Sequence, residues 1–208
     1  MAKEITILGF AAQRSERALY DGNFNGELWT LNDWFNFFPQ IKKPHRLYQI
    51  HKGYTGLHTD YSWRTNVEWK DLYNKTGAKI IVTELYDGLQ NQRLFDESKA
   101  ELDWGKWRLQ SSIDYMLYDA WNEGVTTVEL IGVKMNHETE YAYQMPTAKY
   151  NSDFLKEKGI RVINCHENNW NVKNVDWEKL REVRISYSDC RVCHNEQLID
   201  SIGKHLCK

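Results

Sequence analysis

Short apolar runs alternate with stretches of helical periodicity along most of the chain. The runs that predict strands are residues 5–8, 27–31, 46–50, 79–82, 125–133 and 160–163. Apolar residues at helical spacing lie between them, over about 65–76, 112–123 and 142–158. Asp33 is positioned to cap a further short helix that ends at Phe38. Strands that alternate with helices over the whole length predict a mostly parallel α/β sheet with helices on both faces.

The segment 110–144 combines a helix, a strand and a polar cluster. The helical stripe is formed by Ile113, Met116, Leu117, Ala120 and Trp121. Ser111 and Ser112 stand where this helix must begin, and the free N–H groups of a helix start, together with the helix dipole, attract anions. Gly124 ends the helix, and the apolar run that follows is typical of a buried strand. If that strand is parallel and central, residues 134–144 lie at the carboxyl edge of the sheet, where open α/β folds bind ligands.

Two further residues follow predicted strands and indicate a nucleotide site in a doubly wound, Rossmann-like fold. Gly9 follows the first strand and allows close backbone approach. The fingerprint G-x-G-x-x-G is missing after it, so we expect no dinucleotide cofactor, while a mononucleotide stays open. Asn32 follows the second strand. Its amide suits a base or a ribose, and the alternative is a plain turn residue.

The candidate acid–base residues lie just beyond predicted strands: His51, His137, Glu138 and Glu140. Carboxylates there can activate a hydroxyl nucleophile or stabilise positive charge at an anomeric carbon, and a histidine can transfer the same proton. The alternatives are that His51 is a structural hydrogen bonder and that the acidic residues merely begin the next helix. Tyr141 and Gln144 would add a stacking face and an amide to the nucleotide site.

Two further stretches predict a long loop and an interrupted helix. Residues 83–105 are polar with weak periodicity, which predicts a long loop and a candidate lid. Pro146 lies inside the helical pattern of residues 142–158, where we expect it to break or kink the helix.

The end of the chain has the residue types of a metal site. Cys190 and Cys193 form a CxxC pair, and His205 and Cys207 form an HxC pair shortly after it. Four such ligands predict a closed, structural zinc site. The alternative is unlinked thiols in a reducing cytoplasm, with Cys165 as a buried apolar residue. We divide the chain into a Rossmann-like domain, residues 1–175, and a C-terminal extension, residues 176–208.

Composition limits the partners. The net charge is −2, so no global field draws the protein to nucleic acid, although DNA remains possible as an acceptor. Nine Trp and twelve Tyr residues offer stacking surfaces or, alternatively, core packing. No window approaches the ~18 apolar residues of a membrane span, and the N-terminus begins a strand without signal-peptide features. We therefore expect a cytoplasmic protein with no membrane partner.

Five ordered motifs between Ile5 and about Asn164 resemble a group of small proteins of tailed bacteriophages. The motifs are Glu27-Leu28-Trp29-Thr30-Leu31-Asn32, Tyr48-Gln49-Ile50-His51, Ser111-Ser112 with Tyr115-Met116, Gly132-Val133-Lys134-Met135, and Glu140-Tyr141. The resemblance implies a phage-encoded protein in the host cytoplasm. Two residues depart from the usual pattern: Thr30 replaces a glycine, and Lys134 replaces an aspartate.

More remotely, the layout is similar to family 42 sialyltransferases and archaeal-type hydroxymethylpterin diphosphokinases. In the sialyltransferases, an asparagine that ends the second strand and a serine at a helix start contact the cytidine nucleotide, which implies Asn32 and Ser111 or Ser112 here. Gly132 belongs to the same edge. The resemblance implies a glycosyltransferase that binds a nucleotide or nucleotide-sugar in phage nucleotide or DNA modification. One alternative is a nucleotide N-glycoside hydrolase. The other is a non-catalytic nucleotide-binding or host-interaction protein, which the loss of the aspartate at Lys134 favours.

Overall fold

The structure of the protein is a computed structural model that describes residues 3–10, 24–32, 34–38, 41–52, 69–135, 141–164, 166, 170 and 172. Its strands are β1 (Glu4–Leu8), β2 (Glu27–Leu31), β3 (Arg46–Gln49), β4 (Lys79–Val82), β5 (Gln92–Leu94), β6 (Thr127–Ile131) and β7 (Arg161–Asn164). Its helices are α1 (Trp34–Phe37), α2 (Trp69–Thr76), α3 (Glu97–Trp104), α4 (Ser112–Asn122) and α5 (Tyr141–Glu157), with a 3-10 turn at Lys106–Arg108.

All seven strands form one parallel sheet in the order β5-β4-β3-β2-β1-β6-β7. The chain adds strands outward from β1 to β5, and then crosses to the other side of β1 to form β6 and β7. The order therefore reverses between β1 and β6, which makes their carboxyl ends the switch point of the sheet. The predicted mostly parallel, Rossmann-like α/β fold is confirmed.

Helices cover both faces of the sheet because both faces are apolar. One face presents Ile5, Ile7, Trp29 and Tyr48 to α3, α4 and α5. The opposite face presents residues such as Leu28, Leu47 and Ile80 to the side of α1 and α2. Strands buried on both faces in this way need near-continuous apolar sequence, which explains why they were visible as apolar runs.

Helix α4 runs antiparallel to the strands. At its C-terminal end, Glu123 accepts hydrogen bonds from Arg46, at the start of β3, with N···O distances of 2.6 Å. Lys3, just before β1, donates to the same carboxylate at 2.6 Å. The C-terminal end of α4 therefore lies at the amino edge of the sheet. Ser111, at the other end of the helix, lies at the carboxyl edge.

The interpretation of residues 83–105 as a loop is wrong. Its middle is strand β5, which pairs with β4, and its end is helix α3. Asp96 caps α3 by accepting a hydrogen bond from the Lys99 N–H at 2.9 Å. The periodicity was weak for physical reasons. Strand β5 is short and lies at the sheet edge, and α3 buries only Ala100 and Trp104.

The expectation that Pro146 breaks its helix is also wrong, since α5 continues through it. Pro146 lies in the second turn, so its missing N–H affects only the carbonyl of Ala142. No helix within the described ranges has the length and apolarity needed to cross a membrane. Asp33 and the 175/176 domain boundary lie outside the described residues.

Candidate functional site

The backbones of β1 and β6 meet closely at the switch point. The Gly9 N–H donates a hydrogen bond to the carbonyl of Ile131 at 2.8 Å. A Cβ atom added to Gly9 would stand only 2.6 Å from the carbonyl oxygen of Gly132, so a larger residue does not fit. Close packing of two strand ends is thus sufficient reason for glycine at position 9. Ligand contact at Gly9 and Gly132 stays a prediction.

The chain beyond β6 adopts left-handed backbone twice. Gly132 has φ +68°, which glycine tolerates, but Met135 has φ +48° and is buried. A bulky residue with positive φ is uncommon and stores backbone strain, which concentrates at functional sites. Trp170 donates from Nε1 to the carbonyl oxygens of Val133 and Lys134 at 3.2 and 3.1 Å. This segment is thus held in its strained path at the switch point.

Two side-chain amides lie at the carboxyl ends of the neighbouring strands β2 and β3. Asn32 is 5% exposed, and its carbonyl accepts a hydrogen bond from the Tyr73 hydroxyl at 2.6 Å. Its side-chain amide has no hydrogen-bond partner among the described residues. Gln49 is fully buried, and its Nε2 likewise finds no acceptor in the described part of the chain. A buried amide group without a partner, as at Gln49, is rare and suggests a polar ligand.

The start of α4 is capped internally. The Ser111 hydroxyl donates to Asp114 Oδ2 at 2.8 Å and accepts from the Asp114 N–H at 3.3 Å. The same carboxylate oxygen accepts from the backbone N–H groups of Ser111 and Gln110. The predicted helix start at these serines is confirmed, but Ser111 is buried and its hydroxyl is engaged in this capping box. Ser112 is the half-buried serine of the pair.

Asp114 is fully buried beneath this helix start. Burial raises the pKa of its carboxyl group to about 6, although hydrogen bonds from Ser111 and Asn151 act in the opposite direction. The Asn151 amide on α5 donates to Asp114 Oδ1 at 2.6 Å. Sequence reasoning missed Asp114. The available signal was the capping-box spacing, a serine followed three residues later by an acidic residue.

Arg108 and Asn151 fix α5 against this cap. Arg108 Nε donates to Asn151 Oδ1 at 2.7 Å, and Asn151 Nδ2 donates to the Arg108 carbonyl at 2.9 Å. The Arg108 guanidinium stacks on Trp104 and Phe154, with its carbon 4.1 and 4.3 Å from the ring centroids. Burial lowers the pKa of Arg108 to about 10. The helix start is therefore rigidly placed at the edge of the sheet.

A third polar group lies at the same edge, beyond β3 and β5. The Tyr115 hydroxyl donates to Glu97 Oε1 at 2.9 Å, and Lys52 Nζ lies 3.5 Å from Glu97 Oε2. Beside them, the backbone of His51 donates to Gln49 Oε1 and accepts from the Tyr86 hydroxyl. Sequence reasoning missed Glu97 because it falls in the segment that was interpreted as a loop. Its signal was Asp96, a helix-capping residue directly before it.

The remaining predicted residues are only partly covered by the structure. Gln144 is half-buried in the first turn of α5, and Tyr141 begins that helix. The candidates His137, Glu138 and Glu140 and the proposed zinc ligands Cys190, Cys193, His205 and Cys207 lie outside the described residues. Within the described ranges, no group of three or more His, Cys, Asp or Glu residues could hold a metal ion.

Comparison with known proteins bears on the fold. No protein-family model matches the chain, and no curated protein matches it. Among solved structures, the chain is similar to the sialyltransferase CstII from Campylobacter jejuni in complex with a substrate analogue, cytidine-5′-monophosphate. The two share 14% identity with a TM-score of 0.51, over 80% of each chain. The Rossmann-like fold of this protein is thus one that a glycosyltransferase also uses.

Proposed function

We propose that this protein binds a nucleotide or nucleotide-sugar at the carboxyl edge of β1, β2 and β6 and transfers the glycosyl group to an acceptor. The observation that carries the proposal is the Asn32 side-chain amide beside the switch point, which has no hydrogen-bond partner among the described residues. A bound base or ribose would supply partners for this amide. The similarity to a sialyltransferase solved with cytidine-5′-monophosphate supports the nucleotide class.

The neighbouring groups have compatible roles. Gly132 would let a ligand approach the backbone closely because it has no side chain, and the Gly9 backbone would lie beside that ligand. The Ser112 hydroxyl would donate a hydrogen bond to the phosphate, and the N-terminal dipole of α4 would attract the phosphate's negative charge. Tyr141 and Gln144 would lie along the nucleotide, although the Tyr141 side chain is outside the described residues.

In the transfer step, the acceptor oxygen forms a bond to the anomeric carbon while the bond from that carbon to the phosphate oxygen breaks. The electron pair of the broken bond leaves with the nucleotide phosphate, and a base accepts the acceptor proton. The candidates for this base are His137, Glu138, Glu140 and His51. The resemblance to tailed-phage proteins supports a nucleotide or DNA acceptor in a phage-infected cell.

Lys134 favours a second candidate function, a nucleotide-binding protein without turnover, because it stands where the phage pattern has an aspartate. Incubation with nucleotide-sugars and with free nucleotides separates the candidates. A transferase releases nucleotide from a nucleotide-sugar only when an acceptor is present. A nucleotide N-glycoside hydrolase instead releases the free base from a nucleotide with water alone, and a binding protein releases neither product.

The first experiment is calorimetric titration with CMP, UMP, GMP and AMP. We expect one of them to bind, and Asn32→Ala to weaken its binding about tenfold, the scale of one or two lost hydrogen bonds. The matched control is Asn122→Ala, at the opposite end of α4, which should leave the affinity unchanged. If no mononucleotide binds, the proposal fails. If Asn32→Ala lowers only the melting temperature, Asn32 is a structural turn residue.

A further inference from the structure

Lys52, Glu97 and Tyr115 form a polar cluster that no proposed nucleotide contact uses; we call it the Glu97 cluster. Lys52 lies beyond β3, and Glu97 begins α3 directly after β5. Tyr115 lies one helical turn beyond Ser111, so the two residues share a face of α4. All three therefore lie at the carboxyl edge of the sheet, with the proposed nucleotide site.

The two oxygens of the Glu97 carboxylate have different surroundings. Oε1 accepts the hydrogen bond of the Tyr115 hydroxyl, whose residue is 5% exposed and whose ring packs against Phe95 at 4.7 Å. Oε2 faces Lys52, and the side chains of Glu97 and Lys52 are 31% and 61% exposed. One oxygen is thus fixed by a buried phenol, while the other side of the carboxylate reaches solvent. A catalytic base must expose one oxygen to the substrate while other residues hold its side chain in a fixed orientation.

As a stabilising contact the cluster is weak. An exposed ion pair at 3.5 Å contributes little to folding. The Tyr115 ring already packs against Phe95, so packing alone does not require its hydroxyl to meet an acidic residue. The arrangement orients a carboxylate more than it holds the fold together.

The cluster also lies at a suitable distance from the nucleotide site. Strand β2 separates β3 from β1, and neighbouring strands are about 4.8 Å apart, so the end of β3 lies about 10 Å across the edge from Gly9. A nucleotide-sugar held at the switch point would extend over β2, past Asn32, towards Lys52 and Glu97. The exposed ammonium group of Lys52 would then be available to the leaving phosphate.

We propose that Glu97, oriented by Tyr115, contacts the acceptor hydroxyl and accepts its proton during glycosyl transfer. The inference rests on the proposed function, whose site it extends from the nucleotide to the acceptor. The acceptor oxygen bonds to the anomeric carbon, the bond to the phosphate oxygen breaks with its electron pair on the phosphate, and the acceptor proton moves to Glu97. The acceptor class is a hydroxyl compound that presents its reacting hydroxyl group to the Glu97 carboxylate.

The test compares Glu97→Gln with the matched control Glu101→Gln, one turn later on α3. The measurements are CMP affinity by calorimetry and CMP release from a panel of CMP-linked sugars offered with glycerol and simple glycosides. Glu97→Gln should lower kcat a hundredfold or more at unchanged CMP affinity, the scale of general-base catalysis. Glu101→Gln should behave as wild type.

Two further variants distinguish the loss of a catalytic base from a folding defect. Glu97→Ala should regain part of its rate with added formate, because a small carboxylate can replace the missing base; a merely structural glutamate would not be rescued. Tyr115→Phe keeps the ring on Phe95 but loses the hydroxyl, so it should lower kcat several-fold without changing the affinity for CMP.

The outcomes separate the two proposals. If the wild type binds no mononucleotide, the proposed function and this inference both fail. If it binds CMP but turns over no donor, the transfer step of the proposed function fails together with this inference, and only nucleotide binding stands. If Glu97→Gln turns over normally, only this inference is overturned. A parallel loss of CMP affinity and rate in Glu97→Gln also overturns it, since Glu97 would then belong to the nucleotide subsite or to the fold.

Discussion

The Asp114 carboxyl group is fully buried and accepts hydrogen bonds from Ser111 and Asn151. Burial disfavours its charged form, while each donor favours it, and burial wins because the pKa is raised to about 6. Arg108 is a cationic neighbour whose charge favours an ionised Asp114, and it reaches the carboxylate through Asn151. The cap of α4 therefore contains one proton site near neutral pH.

Stability should depend on the protonation of Asp114. Its pKa is raised above the ordinary value of 3.8, so the folded state binds the proton more tightly than the unfolded state. The associated stability is complete below about pH 4 and is lost as pH rises through about 6. The difference is on the order of 3 kcal/mol at most, at 1.36 kcal/mol per pH unit. Urea unfolding at pH 5 and pH 7 measures the part that is lost between these two pH values, about 1.3 kcal/mol.

The comparison variant is Asp114→Asn, which keeps the size of the side chain and a cap acceptor but cannot ionise. We expect wild type to lose more unfolding free energy than Asp114→Asn between pH 5 and pH 7, because other groups titrate alike in both proteins. Parallel pH curves for the two proteins would show that the hydrogen bonds from Ser111 and Asn151 fully compensate the burial of the charge.

At the scale of elements, sequence signals work where they are local. The ends of α4 were predicted because Ser111 and Gly124 are capping residues with a local mechanism, and Gly124 has φ +68° as a helix end requires. Strand β5 was missed because it has only three residues, and its own sequence does not indicate that it pairs with β4. Helix α3 was missed because its buried stripe is reduced to Ala100 and Trp104.

The C-terminal end of α4 predicts an acid-sensitive contact. Burial raises the pKa of Glu123, but hydrogen bonds from Arg46 and Lys3 outweigh it and hold the value at about 2, below the ordinary 4.5. The pKa is lowered, so this stability is present above about pH 4.5 and is lost as pH falls through about 2. After allowance for partial exposure, Glu123→Gln should cost about 2 kcal/mol at pH 7.

Urea unfolding of Glu123→Gln and wild type at pH 7 and pH 3 measures the contact. The difference between them should shrink as pH falls, because below about pH 4.5 the Glu123 carboxyl group of the unfolded wild-type chain takes up a proton while the folded one keeps its charge. The control is Glu157→Gln at the exposed end of α5, which should change stability by less than about 0.5 kcal/mol. A constant difference at both pH values would mean that the shape of the contact matters and its charge does not.

At the scale of the whole molecule, alternation of strands and helices was enough to predict a parallel sheet. It was not enough to predict the groups that the sheet brings together. Arg108 and Asn151 are 43 residues apart in sequence, and Glu97 and Tyr115 are 18 apart, so no local pattern links them. Asn32 was predicted as a site residue because open α/β sheets bind ligands at the carboxyl ends of their strands, and its role stays a prediction. Candidate site residues at strand ends can thus be predicted from the sequence, whereas contacts between side chains on different helices cannot.

The C-terminal residues 176–208 lie outside the described residues, and their sequence has the pattern of a metal site. Thiolates and imidazoles are the ligands that zinc prefers, and a CxxC pair followed by an HxC pair supplies four of them. We propose that Cys190, Cys193, His205 and Cys207 bind one zinc ion. Four protein ligands leave no position for substrate, so the metal would stabilise this extension without taking part in turnover.

The zinc proposal predicts about one equivalent of zinc in protein purified without chelator, measured by elemental analysis. Zinc should be released when a mercurial reagent blocks the thiols, and the double variant Cys190→Ser, Cys193→Ser should contain almost none. Cys165→Ser is the control, because Cys165 is not among the proposed ligands, and it should keep the metal. Because a structural metal contributes folding energy directly, the double variant should become sensitive to protease within residues 176–208, while its unfolding in urea outside this segment stays unchanged. Metal-free wild-type protein with reactive thiols would instead show that these cysteines are unlinked.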